Sequence, residues 1–258
     1  MQIPFADIIQ AFLAIGVRLS GLMLFAPFLG SAVIPARIKA VLVVALTFVI
    51  YPLVSRSLTP QPLNDWPLLV FRELLVGVSI GIATSVVFEA VQMAGQILSI
   101  QMGYSLINIL DPNTQVDTTV IAMFHQSIAM LIFLRLDVHL WLIRAIGNSF
   151  TYLPPGGAQL SRPFMFTLIG AGSAILSIGV QIAAPVLSAT LLTDIVLGLL
   201  GKASPQLPLM LLGPAVKSLL GLAILFTSLK YWPDMFRVLF IDSMGFADRL
   251  LHLAAVAR

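Results

Sequence analysis

Hydrophobic residues along this chain fall into long blocks separated by short polar or proline-rich breaks, and the blocks are predicted to be helices. Phe5–Phe28 is long enough to cross a bilayer, since about 20 apolar residues cover the hydrocarbon, although Arg18 sits near its middle. The basic turn Pro35-Ala-Arg37-Ile-Lys39 leads into a shorter apolar stretch, Ala40–Val54. Ser55–Pro67 contains Pro60, Pro62 and Pro67 and is predicted to be a loop. Leu68–Phe88 is predicted helical, with Arg72-Glu73 near its start and Gly77-Val-Ser-Ile-Gly81 inside it, and Glu89–Leu110 continues as a more polar helix. Val120–Leu136 and His139–Leu153 come next, on either side of the charged turn Arg135-Leu-Asp137, and Pro154-Pro-Gly-Gly157 is a stop. Phe164–Leu192 is an apolar run interrupted by Pro185. Asp194–Pro214 is predicted to be a Gly/Pro-rich turn region, and Ala215–Leu229 another short helix. In the tail from Pro233, Phe236, Leu239, Phe240, Met244, Ala247, Leu250, Leu251 and Ala254 recur at helical spacing, with Asp242, Asp248 and Arg249 elsewhere on the wheel.

Two places break this pattern. Ser85, Glu89, Gln92, Gln96, Ser99 and Gly103 succeed one another in alternating steps of four and three, which places them on one helical face, with Val91, Ile97, Ile100 and Tyr104 opposite. Two readings fit that stripe: a face toward an aqueous lumen, or a polar seam hydrogen-bonded to a neighbouring helix. The second break lies just beyond it. No lysine or arginine occurs between Arg72 and Arg135, yet the polar stretch Asn108–Thr119 interrupts that apolar run. Lipid does not tolerate irregular backbone, because its N–H and C=O groups find no partners there. The stretch is therefore buried in protein, lines an aqueous path, or is a turn at the membrane surface. Pro112 cannot continue the preceding helix, and Asp111 or Asp117 can cap the next one. Ile107, Ile109 and Leu110 beside Asn108, Asn113, Thr114 and Gln115 could plug a pore, with apolar side chains to exclude water and the polar backbone satisfied by facing loops, but by chemistry alone they fit a plain surface turn better.

Composition sets the class. Hydrophobic residues are 59% of the chain and charged residues 10%, and the mean hydropathy is +1.02. A soluble domain runs near 45–50% apolar and about 25% charged, so this is an integral membrane protein or a subunit buried in a membrane-associated assembly. The 258 residues read as one unit without a separate soluble domain. Met1-Gln-Ile-Pro-Phe-Ala-Asp7 lacks a basic leader, so the first apolar segment is expected to stay in place. Basic residues in the tail (Lys230, Arg237, Arg249, Arg258) favour a cytoplasmic C-terminus. The formal charge of +3 is scattered, and no basic block points to nucleic acid. Several apolar runs of about 15 residues reach only about 22 Å, short of the roughly 30 Å hydrocarbon core, which suits a subunit covered largely by neighbours or a lipid-spanning bundle with broken helices.

The inventory for chemistry is thin. There are no cysteines, and His125, His139 and His252 share no metal spacing. Neither a nucleophile elbow nor a phosphate-cradling glycine loop occurs. His139 and Ser149 are about 15 Å apart along one helix and cannot meet within it. No catalytic residue, cofactor or metal is expected. Arg18, Arg72, Glu73, Asp194 and Lys217 lie in or near apolar segments, where ionisable groups are costly; pins between helices or subunits and an ion path both fit them. A small-solute transporter would need a midplane site between inverted repeats, and Arg18, Glu73 and Glu89 show no such arrangement.

A set of short motifs, in order and spacing over some 200 residues, gives the chain a likeness to a known family. They are Arg18 with Ala26-Pro27 and Gly30; Ile34-Pro35-x-Arg37; Arg72-Glu73-x-x-x-Gly77-x-x-x-Gly81; Ala94-Gly95; and Gln101-Met102-Gly103 followed by Asp111-Pro112. Further on come His139-Leu140, Ser149-Phe150, Asp194-x-x-x-Gly198, Pro205-Gln206 and Gly213-Pro214-x-x-Lys217. The sequence resembles the FliR family of flagellar biosynthesis subunits, with relatives in virulence type III secretion. Leu207-Pro208 departs from the expected pattern. The resemblance implies an all-α, membrane-associated export-gate subunit of kinked helical hairpins, with a FliP-like part over 1–160 and a FliQ-like hairpin and amphipathic tail over 161–258. It implies a bacterial inner-membrane location in the flagellar basal body, assembly with FliP and FliQ subunits, contact with FlhB and FlhA, and passage of unfolded flagellar export substrates. It also implies that Ile107–Thr119 is the plug that closes the pore. A virulence injectisome subunit would share this gate physics with a different cargo.

Overall fold

The computed structural model describes residues 5–27, 29–31, 34–55, 62–104, 119–159, 161–206 and 208–255. Its regular elements are helical: α1 (Phe5–Phe25), α2 (Ala36–Val54), α3 (Trp66–Gln101), α4 (Val120–Arg135), α5 (Val138–Tyr152), α6 (Arg162–Ala203), α7 (Leu209–Ser228) and α8 (Trp232–Ala255), with 3-10 turns at Leu63–Asp65 and Leu229–Tyr231. Five stretches are long and apolar enough to cross a membrane: Ala6–Phe25, Ala36–Val54, Trp66–Gln101, Arg162–Ala203 and Leu212–Ala255. The chain is an all-helical membrane protein.

Local chemistry accounts for the helix ends. Thr119 caps α4 by accepting from the Ala122 N–H (3.3 Å). Asp137 separates α4 from α5 at φ 55°, a left-handed conformation that aspartate tolerates better than most residues. Pro154 and Pro155 stop α5, while Pro163 and Pro233 lie in the first turns of α6 and α8, where no intrahelical donor is lost.

Helix lengths differ from the predicted runs: the helix expected to continue over Glu89–Leu110 ends at Gln101, whereas α6 and α7 are longer than predicted. The α3 helix continues unbroken through Phe88 to Gln101, 36 residues or about 54 Å. The α6 helix runs for 42 residues, through Pro185 and past Asp194 to Ala203. The turn region expected over Asp194–Pro214 is thus a correction: Asp194–Ala203 is helical, α7 already begins at Leu209 and includes Pro214, and the connection shrinks to the residues between them. Glycine and proline break helices in water, but they are common in membrane helices, where neighbours and side-chain hydroxyls satisfy the freed backbone groups.

The chain is organised as two compact units. The first comprises 1–86, 137–172 and 240–258, the second 87–136 and 173–239. Helices α3, α6 and α8 each contribute to both. In the first unit α1 packs on α2 through Phe12, whose ring lies 5.0 Å from Phe48 and 4.8 Å from Tyr51. It packs on α3 almost backbone to backbone. A Cβ on Gly77 would fall on the Arg18 carbonyl oxygen, one on Gly81 would lie 2.9 Å from the Leu22 carbonyl oxygen, and one on Gly21 would lie 2.6 Å from that of Leu74. The Gly77-x-x-x-Gly81 pattern is used here for close helix approach. The tail helix turns Phe240, Ala247, Leu250, Leu251 and Ala254 inward and leaves Asp242, Asp248 and Arg249 exposed.

In the second unit the far half of α3 is the centre. Gly95 meets Ala122 of α4, Gly179 of α6 lies against Ala90 and Met93, and Gly221 of α7 lies against the Met102 side chain. An aromatic cluster joins α4, α7 and α8: Phe124 to Phe226 (6.4 Å), His125 to Trp232 (4.8 Å) and Trp232 to Phe236 (5.6 Å).

Candidate functional site

The proposed plug residues Ile107, Asn108, Ile109, Leu110, Asp111, Pro112, Asn113, Thr114 and Gln115 lie outside the described residues. Their two stems are described, and both are held within the second unit. On the N-terminal side, Gln101 Nε2 donates to Asp194 Oδ2 (2.9 Å), and the other oxygen of that carboxylate pairs with Lys217 Nζ (2.8 Å). The Tyr104 hydroxyl shares a hydrogen bond with Ser218 Oγ (2.7 Å). Between them, Gly103 leaves the helix at φ 86°, and a Cβ there would also sit 3.0 Å from Pro214 Cβ. Glycine meets both demands at once: a left-handed backbone and no side chain toward the proline. On the C-terminal side, Thr119 caps α4, and Ala122 is locked against Gly95 of α3. The residues flanking 105–118 on both sides thus belong to one frame made by α3, α4, α6 and α7.

The polar stripe on α3 divides. Ser99 is fully buried, and its Oγ has no hydrogen-bond partner among the described residues. Glu89 is exposed; Ser85, Gln92, Gln96 and Gly103 are half-buried. The supposed apolar face divides too, for Val91 is buried whereas Ile100 is 64% exposed. The side of α3 that packs is instead a row of small and apolar residues: Ala83, Val87, Ala90, Val91, Ala94, Leu98 and Met102.

The charged residues singled out in the sequence come together in two places. In the first unit, Arg18 of α1 is completely buried. Its Nε donates to Glu73 Oε2 (2.6 Å), Nη1 to Ser149 Oγ (2.9 Å) and Nη2 to the Leu153 carbonyl (3.0 Å), and the guanidinium lies 3.9 Å above the centre of the Phe150 ring. Glu73 Oε1 accepts from the Gly156 N–H (2.8 Å), and Arg72 Nη1 donates to the Gly156 carbonyl (2.9 Å). Glu73 is thus partnered by Arg18, while its neighbour Arg72 goes to backbone. The planar guanidinium satisfies three acceptors in one plane and stacks on an aromatic face, which a lysine cannot do. In the second unit, Asp194 and Lys217 form the clamp at the N-terminal stem.

Ser149, Leu153 and Gly156 were not singled out for this role by side-chain chemistry. Two of the three contribute backbone groups, which carry no residue signature. The available signal was the Pro154-Pro-Gly-Gly157 stop: Gly156 has φ 80°, and prolines leave nearby carbonyls without helical partners. Neither cluster has the parts of a reaction centre. Ser149 Oγ donates to the Ile146 carbonyl (2.7 Å) while it accepts from Arg18, and among the described residues no three His, Asp or Glu side chains converge as metal ligands.

Residues 9–243 match the model of the family described as bacterial export proteins, family 1. The chain is 32% identical over 216 residues to the flagellar biosynthetic protein FliR of Escherichia coli K12, covering 81% of this chain and 80% of that protein. It is 29% identical over 242 residues to FliR of Pectobacterium carotovorum, covering 93% and 92%, and 26% identical over 254 residues to FliR of Bacillus subtilis, covering 97% and 98%.

Proposed function

Because the chain belongs to the FliR-type bacterial export proteins of family 1, as a membrane-embedded component of the flagellar export apparatus, we propose that it is the subunit that closes the export channel. In this reading it assembles with FliP and FliQ subunits in the bacterial inner membrane, meets FlhB and FlhA on the cytoplasmic side, and passes unfolded flagellar substrates without catalysing a reaction. Residues 1–160 form its FliP-like part and 161–258 its FliQ-like part. The segment Ile107–Thr119 is the plug.

The observation that supports the plug most directly is the pair of stems. A polar segment inside an apolar chain is held on one side by Gln101, Asp194, Lys217 and Tyr104, and on the other by the Thr119 cap and the Gly95–Ala122 contact. An ordinary surface turn needs no such frame. A closure element does, because its apolar residues must return to the same place after each opening. The polar stripe from Glu89 to Gln96 then faces either the lumen or a sister subunit.

Deleting Asn108–Thr119 tests the reading. In the complex co-expressed with FliP- and FliQ-like subunits, the deletion is expected to raise ion or small-solute permeability of the membrane well above that of the intact complex. Unchanged permeability, with the complex still assembled, would remove the plug assignment.

A further inference from the structure

Three helices of the first unit, α3, α5 and α8, frame a cavity of about 240 Å³. Its floor is apolar and includes the buried Leu142 and Leu251. Its lining also contains one cation, Arg144, and one anion, Asp248. Both are exposed, and among the described residues neither closes an ion pair or hydrogen bond with its side chain. Trp141 and Tyr152 also line the cavity, each 54% exposed, and the Tyr152 ring is braced by His252 at 5.4 Å.

Opposite charges that line one cavity without meeting specify the ligand that would join them. A ligand with a single negative charge gains Arg144 but must also approach Asp248, and a single cation has the reverse difficulty. A ligand carrying both signs satisfies both residues. The apolar floor calls for hydrocarbon next to those charges. Exposed tryptophan and tyrosine are the side chains that sit at headgroup level in membranes.

We infer that this cavity binds the headgroup of a zwitterionic phospholipid with a primary ammonium, of the phosphatidylethanolamine class. The phosphate meets Arg144, the ammonium meets Asp248, and the start of an acyl chain lies against Leu142 and Leu251 beside the Trp141 ring. A primary ammonium donates N–H bonds to the carboxylate. A choline headgroup has none to donate and is bulkier. The inference concerns the first unit and does not depend on the plug.

The test uses the full chain purified with the subunits that accompany it. After delipidation, the complex is exposed to mixed micelles containing phosphatidylethanolamine, phosphatidylcholine or phosphatidylglycerol, and retained lipid is read by native mass spectrometry. Phosphatidylethanolamine should be retained over the other two. Arg144→Gln should lower that retention about fivefold, the size of one charge-assisted contact at a partly exposed site, and Arg144→Lys should keep most of it. Asp248→Asn should shift the preference toward phosphatidylglycerol. A photoreactive residue in place of Asn148 should crosslink to lipid. Equal retention of the three lipids, or retention unaltered in Arg144→Gln, overturns the inference; so does a crosslink from position 148 to a neighbouring subunit.

Discussion

The two charged clusters are built from the same kinds of residue and differ in what water can reach. Arg18 and Glu73 are both 0% exposed, whereas the Lys217 and Asp194 side chains are 19% and 42% exposed. A buried pair is bound to the fold: removing one partner strands the other charge and costs about 3–5 kcal/mol, although the intact pair adds little over a well-packed apolar core. A partly exposed pair contributes about 0–1 kcal/mol to stability. The first cluster therefore maintains the packing of α1, α3 and α5. The second holds a position, and its energy is small enough for that position to be released.

Substitutions in each cluster and at the glycines beside them put this contrast to the test. The largest effect is expected at the buried pair. Arg18→Ala or Glu73→Ala should destabilise the protein by about 3–5 kcal/mol, read as lost assembly or a marked fall in the thermal unfolding temperature of the detergent-solubilised complex. Arg18→Lys should not restore it, because an ammonium cannot reach Glu73, Ser149 and Leu153 together. If Arg18→Ala unfolds at the wild-type temperature, the cluster is not what joins these helices. Next, Gly77→Ala should cost about 1–3 kcal/mol by forcing α1 off α3. Gly147→Ala, whose added methyl meets nothing within 4 Å, should be neutral or slightly stabilising in the same assay. Gly103→Ala should cost about 1 kcal/mol from its positive φ and, unlike Gly77→Ala, should raise ion leakage through assembled complexes. Lys217→Met should have the smallest effect on unfolding, under about 1 kcal/mol, yet still increase leakage. Leakage equal to wild type in both stem variants would separate the clamp from gating.

Legibility in the sequence splits along similar lines. Helical class, the membrane-length stretches and the inward face of the tail helix are written in hydrophobic periodicity, which survives wherever one side of a helix is polar. The packing face of α3 was not legible, because the helix is apolar nearly all round and Ala83, Ala90 and Ala94 weigh little beside exposed Ile100. The reach of α6 past Asp194 was missed because Gly198 and Gly201 signal breaks by the rules of water-soluble helices. Arg18 and Glu73 stood out as costly charges, but their pairing spans three helices and two backbone groups that no spacing rule encodes. For the stems, Asp194 and Lys217 were visible as residues, whereas their convergence on Gln101 needed the fold.

The α6 helix carries a last consequence. It carries exposed apolar side chains from Phe166, 73% exposed, to Leu199, 63% exposed. At 1.5 Å per residue those side chains are about 50 Å apart along the rod, while a bilayer offers about 30 Å of oil. Set upright, the rod leaves a greasy length of roughly 20 Å for which lipid provides no shelter, and even at a tilt of about 40° it reaches about 8 Å beyond the oil, where water is a poor host for it. Some other polypeptide must sheathe that remainder, so the isolated chain is expected to clump in mild detergent and to become monodisperse only in company.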